Sequence, residues 1–186
     1  MRVSKEPEER KQEILNAAIE VFAKKGYEKT SISDIAQTIN VAQGLCYRYF
    51  SSKEELFDAA LNEYSDILVN DMICALDGND LSVSQIIENM TIISENKEGI
   101  YYGIFHGEHN KKLHDQLVMR VCEKLLPIVR GYLEKAQMNC EIDVPDIDSA
   151  ASFCVFGQLG ILLRKDLSSS QKANNIKVFL YYMLKL

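Results

Sequence analysis

The residue types that most often catalyse reactions or bind metals are few in this chain and poorly placed for either role. All three histidines, His106, His109 and His114, fall within nine residues, but they straddle an expected helix break and have no nearby cysteine. The five cysteines are widely spaced and form no C-x-x-C pair, which is typical of reduced thiols. No phosphate-binding glycine loop or nucleophile elbow occurs. We therefore predict a structural turn at the histidines, and no metal, cofactor or enzymatic activity.

A second group of polar residues, between positions 30 and 53, has the chemistry that DNA recognition needs. The amide of Gln43 can form two hydrogen bonds with the edge of an adenine. Thr30 and Ser31 stand at the expected start of a helix, where hydroxyls and free backbone N–H groups suit a phosphate. The aromatic and basic side chains that suit contacts with the DNA backbone are Tyr47, Arg48, Tyr49 and Lys53.

The net charge of −6 seems at first to argue against a nucleic-acid partner. Residues 1–57, however, hold nine of the 21 basic residues and nine of the 27 acidic ones. This segment is therefore neutral, and residues 58–186 carry the whole net charge of −6. A neutral segment can bind DNA when its cations cluster on one face. The overall charge therefore excludes nothing.

Neither a secretory signal nor a membrane span is expected. The longest apolar run, residues 150–163, is shorter than the roughly 20 residues that a bilayer span needs. The charged N-terminus has no apolar signal core. We expect a cytoplasmic protein that does not enter membranes.

The polar group between positions 30 and 53 requires helices to position it. Apolar spacing predicts a helix over 8–25 that ends at Gly26. Ser31 and Asp34 form a capping box that opens a second short helix, and Asn40 tolerates the left-handed backbone of a tight turn. A third short helix is predicted over 43–49. Two short helices packed on a longer one form a helix-turn-helix unit.

The rest of the chain also reads as helical. A capping box at Ser52–Glu55 predicts a long helix to about residue 75, and weaker patterns follow at 82–94 and 100–106. A long amphipathic helix is predicted over 111–138, kinked but not ended by Pro127. Helices over 147–165 and 170–185 close the chain. No alternating pattern indicates a sheet, so we predict an all-α fold.

The motif residues of the first part resemble the tetracycline-repressor (TetR-like) family. The matching positions are Gly26-Tyr27, Thr30-Ser31-Ile32, Asp34-Ile35-Ala36, Val41, Gly44, Tyr47-Arg48-Tyr49-Phe50, Ser52-Lys53-Glu54 and Leu56. The resemblance covers about fifty residues with its spacing kept. It implies an N-terminal three-helix helix-turn-helix domain over 1–52 and a C-terminal helical ligand-binding and dimerisation domain over 53–186.

The resemblance implies that Gln43, Gly44 and Leu45 face the major groove and read bases. It departs from the family pattern at two positions. Asn40 replaces the usual glycine of the turn. Ala42 replaces a serine that would cap the recognition helix, which costs up to about 1 kcal/mol. We hypothesise that contact with DNA phosphates satisfies those N–H groups instead.

Two further sets of residues follow from the resemblance and from composition. Small and apolar side chains near the C-terminus predict a homodimer interface of Ala150, Phe153, Cys154, Phe156, Gly157, Gly160, Phe179, Tyr182 and Met183. Aromatic, methionine and cysteine side chains suited to an apolar ligand are Tyr64, Met72, Met90, Tyr101, Tyr102, Phe105, Met119 and Cys122. At helical spacing such residues are often core instead.

The function expected is that of a ligand-responsive transcriptional regulator. As a repressor, the homodimer would bind a palindromic operator in double-stranded DNA and be released by an unidentified small-molecule effector. The alternative is an architectural or cell-cycle DNA-binding protein that uses the same fold without an inducer. A closed cavity in the second domain would favour the ligand-responsive regulator. If the side chains of that domain fill its interior, the alternative is favoured.

Overall fold

The computed structural model describes residues 5–74, 81–90 and 111–186, whose regular structure is entirely helical. The helices are α1 (Pro7–Lys25), α2 (Ile32–Thr38), α3 (Gln43–Tyr49), α4 (Lys53–Cys74), α5 (Val83–Asn89), α6 (Lys111–Met138), α7 (Ile147–Phe156), α8 (Leu159–Leu162) and α9 (Ser169–Leu184). The predicted all-α class, with an N-terminal helix-turn-helix and a C-terminal helical part, is confirmed. No helix in these ranges is long and apolar enough to cross a membrane. The helix predicted over 100–106 lies outside the described residues.

The described residues form two compact units. The first is drawn from Met1–Ile67 and Asn96–Arg120, and the second from Leu68–Glu95 and Val121–Leu186. Helices α4 and α6 each have residues in both units. The predicted functional boundary between residues 52 and 53 remains a prediction, because compactness alone does not assign functions to segments.

The core of the first unit is made by apolar residues that recur at helical spacing. Its most deeply buried side chains, each at most 2% exposed, include Ile14, Phe22, Ile35, Leu56, Phe57 and Leu61. Helix α1 ends at Gly26, where φ is 78° and the N–H donates to the carbonyl of Phe22 over 2.9 Å. Because this left-handed backbone favours glycine, the predicted C-cap is confirmed.

The core of the second unit is contributed by α5, α6, α7 and α9. Its buried members include Val83, Ile87, Leu133, Ala151, Ile176, Leu180 and Leu184. Polar contacts join α9 to α5 beside this core. The Lys177 ammonium donates to the Glu88 carbonyl over 2.5 Å, and the Tyr181 hydroxyl donates to the Glu88 carboxylate over 3.0 Å. Helix α9 is therefore tied to α5 by both packing and hydrogen bonds.

Two local features differ from the prediction. The helix expected over 147–165 is divided into α7 and α8, with Gly157 and Gln158 between them. Glycine is a poor helix former, and the apolar pattern continues through it without signalling the break. The capping box expected at Ser52–Glu55 is formed by two serines. Ser52 accepts from the Glu55 N–H over 3.0 Å, whereas the Glu55 carboxylate accepts from the N–H of Ser51 over 2.6 Å.

Candidate nucleic-acid interface

The turn between α2 and α3 depends on Asn40. Its φ is 59°, the left-handed region that asparagine tolerates better than most residues. The N–H of Asn40 donates to the Gln37 carbonyl over 3.2 Å, and that of Val41 donates to the Ala36 carbonyl over 3.0 Å. These bonds end α2 and redirect the chain into α3. The predicted role of Asn40 in the turn is confirmed.

The start of α2 is held by a reciprocal capping box. The Ser31 hydroxyl accepts from the Asp34 N–H over 3.1 Å, and the Asp34 carboxylate accepts from the Ser31 N–H over 2.8 Å. Lys25, in the last turn of α1, donates to the same carboxylate over 2.6 Å. The hydrogen bond from Lys25, together with those from Ser31, holds the pKa of Asp34 well below its usual range. The start of α2 is therefore fixed to the end of α1.

Helix α3 has one buried side and one exposed side. Cys46 is 1% exposed, and Phe50, which follows the helix, is 3% exposed, so both anchor α3 to the core. The side chains that face solvent along the helix are Gln43, Gly44, Tyr47 and Arg48, which we call the reading face. Leu45 and Tyr49 are half-buried at its edges.

The reading face leaves room for a partner. A Cβ placed on Gly44 would have no atom within 4 Å, and Tyr47 is 48% exposed. The start of α3 carries no side-chain cap, because the capping position is Ala42. Only the Leu45 N–H is bonded there to a backbone carbonyl, that of Ala42, over 2.9 Å. The helix start thus presents N–H groups beside an open polar surface.

Two residues predicted to contact phosphates have internal hydrogen bonds in this structure. Thr30 is 3% exposed, and its hydroxyl donates to the Gly26 carbonyl over 2.8 Å. The Lys53 ammonium donates to the carbonyls of Tyr27 and Thr30 over 2.9 and 3.0 Å. Both side chains therefore stabilise the connection between α1 and α2. Residue type and helix position suggested phosphate contacts, but the carbonyls that these groups bind were not visible in the sequence.

Sequence reasoning missed two residues of α6 that contact other parts of the first unit. The Lys112 ammonium lies 3.8 Å from the centre of the Tyr27 ring. The Arg120 guanidinium donates to the Asp58 carboxylate over 2.8 Å. No motif could have found these contacts, because their partners are far apart in the chain and neither pair has a characteristic spacing.

The residues predicted to line a ligand pocket are spread over both units. Tyr64, buried, and Met119, 44% exposed, belong to the first unit. In the second unit Cys122 is buried, Met90 packs against the core, and Met72 is half-buried. The remaining three, Tyr101, Tyr102 and Phe105, lie outside the described residues. A cavity of about 170 Å³ in the second unit is lined by other residues, among them Tyr132 and Glu141.

The residues predicted for a dimer interface divide into buried and exposed groups. Ala150 and Cys154 are buried in the core of the second unit, because their small side chains fit beneath neighbouring apolar groups. By contrast, Phe153, Phe179 and Tyr182 are 66%, 63% and 86% exposed. The others of the set are exposed or half-buried, namely Phe156, Gly157, Gly160 and Met183. The structure thus separates a core group from a surface group in this set.

Comparison with known proteins places this geometry among DNA-binding regulators. Residues 14–60 match the family described as bacterial regulatory proteins, tetR family. The chain is 27% identical over 126 residues to the fatty acid metabolism regulator protein of Bacillus subtilis. This alignment covers 65% of this chain and 61% of that protein. The match covers 61% of the length of that regulator, and matches to two further Bacillus subtilis regulators cover 30% and 25% of theirs. The chain therefore matches less than two thirds of the length of each of these relatives.

Solved structures share the fold over nearly the whole chain. FadR from Bacillus subtilis in complex with stearoyl-CoA superposes with a TM-score of 0.63 at 21% identity, covering 91% of this chain and 96% of that one. RolR in complex with resorcinol superposes with a TM-score of 0.66 at 19% identity, covering 96% and 89%. At these identities the likeness establishes the fold.

Proposed function

We propose that this chain, which is TetR-like in its helix-turn-helix, is a cytoplasmic repressor that binds a palindromic operator as a homodimer and is released by a small molecule. The observation that carries the proposal is the reading face of α3. It is polar, exposed and open, while the opposite side of the helix is anchored in the core. A rigid helix with an unoccupied polar side is what insertion into the major groove requires.

We divide the DNA-contacting roles among residues 31–49 by the chemistry of their side chains. We assign base readout to Gln43, with Gly44 allowing close approach and Leu45 meeting a thymine methyl. We assign contacts with the DNA backbone to Ser31, Tyr47, Arg48 and Tyr49, of which Tyr49 is half-buried.

For Thr30 and Lys53 we propose a structural role beside the predicted contacts with phosphates. The buried Thr30 hydroxyl stabilises the connection between α1 and α2 by its hydrogen bond to the Gly26 carbonyl. An ammonium has three N–H donors, and the Lys53 ammonium uses two of them on backbone carbonyls. The third is left for a phosphate, so Lys53 can join the helix connection to the DNA backbone.

The homodimer is supported by apolar surface on α7 and α9. Phe153, Phe179 and Tyr182 are each more than 60% exposed, as is Val178 at 61%. Exposed aromatic side chains on two helices of one unit are typical of an interface with another chain. In a twofold dimer the same surface serves both copies, and the two reading faces meet half-sites about one DNA turn, ~34 Å, apart.

The effector is proposed to be apolar. The described candidates are Tyr64, Met72, Met90, Met119 and Cys122, which lack formal charge. The two structural neighbours carry stearoyl-CoA and resorcinol, so this fold accepts apolar and aromatic groups of very different size. A coupling of about 1–3 kcal/mol between effector and operator would be enough for regulation.

The proposal is tested by selecting bound duplexes from a pool of random DNA. We expect the recovered sequences to share an inverted repeat, and Gln43→Ala to weaken the preference at one position of each half-site by about 1–3 kcal/mol. Gln12→Ala, which removes a glutamine side chain from α1, is the matched control. Recovery of no common sequence by the unaltered protein, or an unchanged preference in Gln43→Ala, would contradict the assignment of base readout.

A further inference from the structure

Two ammonium groups lie against the ring of Tyr27 in the first unit. The Nζ atom of Lys53 is 4.2 Å from the ring centre, and that of Lys112 is 3.8 Å from it. Both distances are well within the roughly 6 Å at which a cation is attracted by an aromatic face. Lys53 comes from the start of α4 and Lys112 from the first turn of α6. One tyrosine ring is therefore the meeting point of three segments of the chain.

Tyr27 lies in the connection between α1 and α2. It follows the end of α1 at Gly26, and its ring packs on Phe22 and Phe57 with centroid distances of 5.8 and 4.5 Å. Its carbonyl accepts a hydrogen bond from Lys53. Three residues later the buried Thr30 leads directly into the capping box of α2. A displacement of the Tyr27 ring would therefore move both the connection and the start of α2.

A second contact fastens α6 at the same place. Arg120 lies about two helical turns beyond Lys112, and its guanidinium donates to the carboxylate of Asp58 over 2.8 Å. Asp58 is the neighbour of Phe57 in α4, and Phe57 packs on Tyr27 and lies 5.7 Å from the Lys112 ammonium. The first turns of α6 are thus joined by a cation–aromatic contact to the connection that follows α1, and by an ion pair to α4.

We propose that Lys112 is a positioning residue for DNA binding, which acts on the reading face through Tyr27 and not through contact with DNA. The proposal rests on the DNA-binding function argued above. While Lys112 holds the ring, the connection between α1 and α2 stays ordered and the reading face keeps one orientation. Loss of the Lys112 cation loosens this connection and so lowers the affinity for DNA.

The test compares two neighbouring lysines of the same helix turn. Lys112→Met keeps the length of the side chain but removes the cation, and Lys112→Arg keeps a cation that can still stack on the ring. Lys111→Met removes one charge from the adjacent exposed position and is the matched control. Because both methionine variants change the net charge equally, a difference between them isolates the contact with Tyr27.

Two measurements are made on each variant. Amide hydrogen exchange without DNA should be about two- to fivefold faster across residues 27–35 in Lys112→Met, and unchanged in Lys111→Met and Lys112→Arg. Affinity for the selected duplex should fall by a similar factor in Lys112→Met, while the slope of affinity against salt concentration stays that of the unaltered protein. A slope reduced by about one would mean that Lys112 contacts a phosphate, which overturns the proposal.

The exchange experiment separates this inference from the proposed function. If the unaltered protein selects no DNA sequence, the repressor proposal fails, while faster exchange in Lys112→Met alone still supports the link through Tyr27. Equal exchange in Lys112→Met and Lys111→Met overturns the inference even when the protein binds its operator tightly.

Discussion

A serine at position 42 should stabilise the start of the recognition helix. Ala42 occupies the capping position of α3 with φ −71° and ψ 140°, and it provides no side-chain acceptor. Ser82 and Ser168 cap α5 and α9 in the same extended region of the backbone, with φ of −65° and −67° and ψ of 158° and 160°. Their hydroxyls accept from N–H groups three residues later, over 3.3 and 3.2 Å. Ala42→Ser is therefore compatible with the backbone conformation at this position, which is already the extended one of a cap.

The size of the effect follows from this geometry. A serine cap in place of alanine is worth about 1 kcal/mol, because its hydroxyl gives the N–H groups of the first turn an acceptor that the alanine side chain lacks. Since about 1.4 kcal/mol corresponds to a factor of ten, opening of the first turn of α3 should become roughly fivefold less frequent. Its N–H groups lie on Gln43, Gly44 and Leu45, at the edge of the reading face.

The assay is amide hydrogen exchange of residues 43–47, with and without the selected duplex. We expect Ala42→Ser to slow exchange in the free protein and to reduce the further slowing caused by DNA, since a cap and a phosphate serve the same N–H groups. Ala173→Ser, inside α9, is the control and should slow no exchange in α3. Unchanged exchange in Ala42→Ser would refute the reasoning, as would equally slow exchange of the unaltered α3 with and without DNA.

Three further perturbations test the rest of the structure. Tyr182→Asp should convert a dimer to monomers in analytical ultracentrifugation, because burying an unpaired charge in the interface is strongly unfavourable. If the unaltered protein is itself monomeric at micromolar concentration, the proposed dimer is wrong. The lowered pKa of Asp34 means that its contribution to stability is complete above its unfolded value of about 4 and is lost as pH falls below it, so acid unfolding should be shallower in Asp34→Asn. Gly157→Ala should lower the melting temperature, because the added Cβ would lie 2.5 Å from the Phe153 carbonyl oxygen, whereas Gly160→Ala, with nothing within 4 Å, should not; equal melting temperatures would show that the backbone at 157 relaxes.

Local features of the helix-turn-helix could be predicted because short stretches of chain determine them. The bounds of α3, the capping box of Ser31 with Asp34, and the left-handed turn at Asn40 agree with the structure. Each depends on residues within four positions of one another, and each residue type has a conformational or hydrogen-bonding preference that few others share. The all-α class follows in the same way from the spacing of apolar residues.

The fate of individual side chains was harder to predict, because it depends on neighbours that are remote in sequence. Thr30 has the same hydroxyl chemistry whether it binds a phosphate or the Gly26 carbonyl, and only the packing of α1 on α2 buries it. Ala150 and Cys154 fit a helix interface by size, yet the core of their own unit covers them. Burial is a property of the assembled helices and not of the helix pattern itself.

The sequence by itself determined that this chain has a helix-turn-helix with Gln43 at the start of its third helix, because backbone preferences and apolar spacing act over a few residues. Only the tertiary structure decided that Lys53 binds the carbonyls of Tyr27 and Thr30, and that Lys112 reaches the same tyrosine from α6. A lysine carries its charge at the end of a long flexible stem, so its partner is chosen by whatever acceptor or ring folding brings within reach.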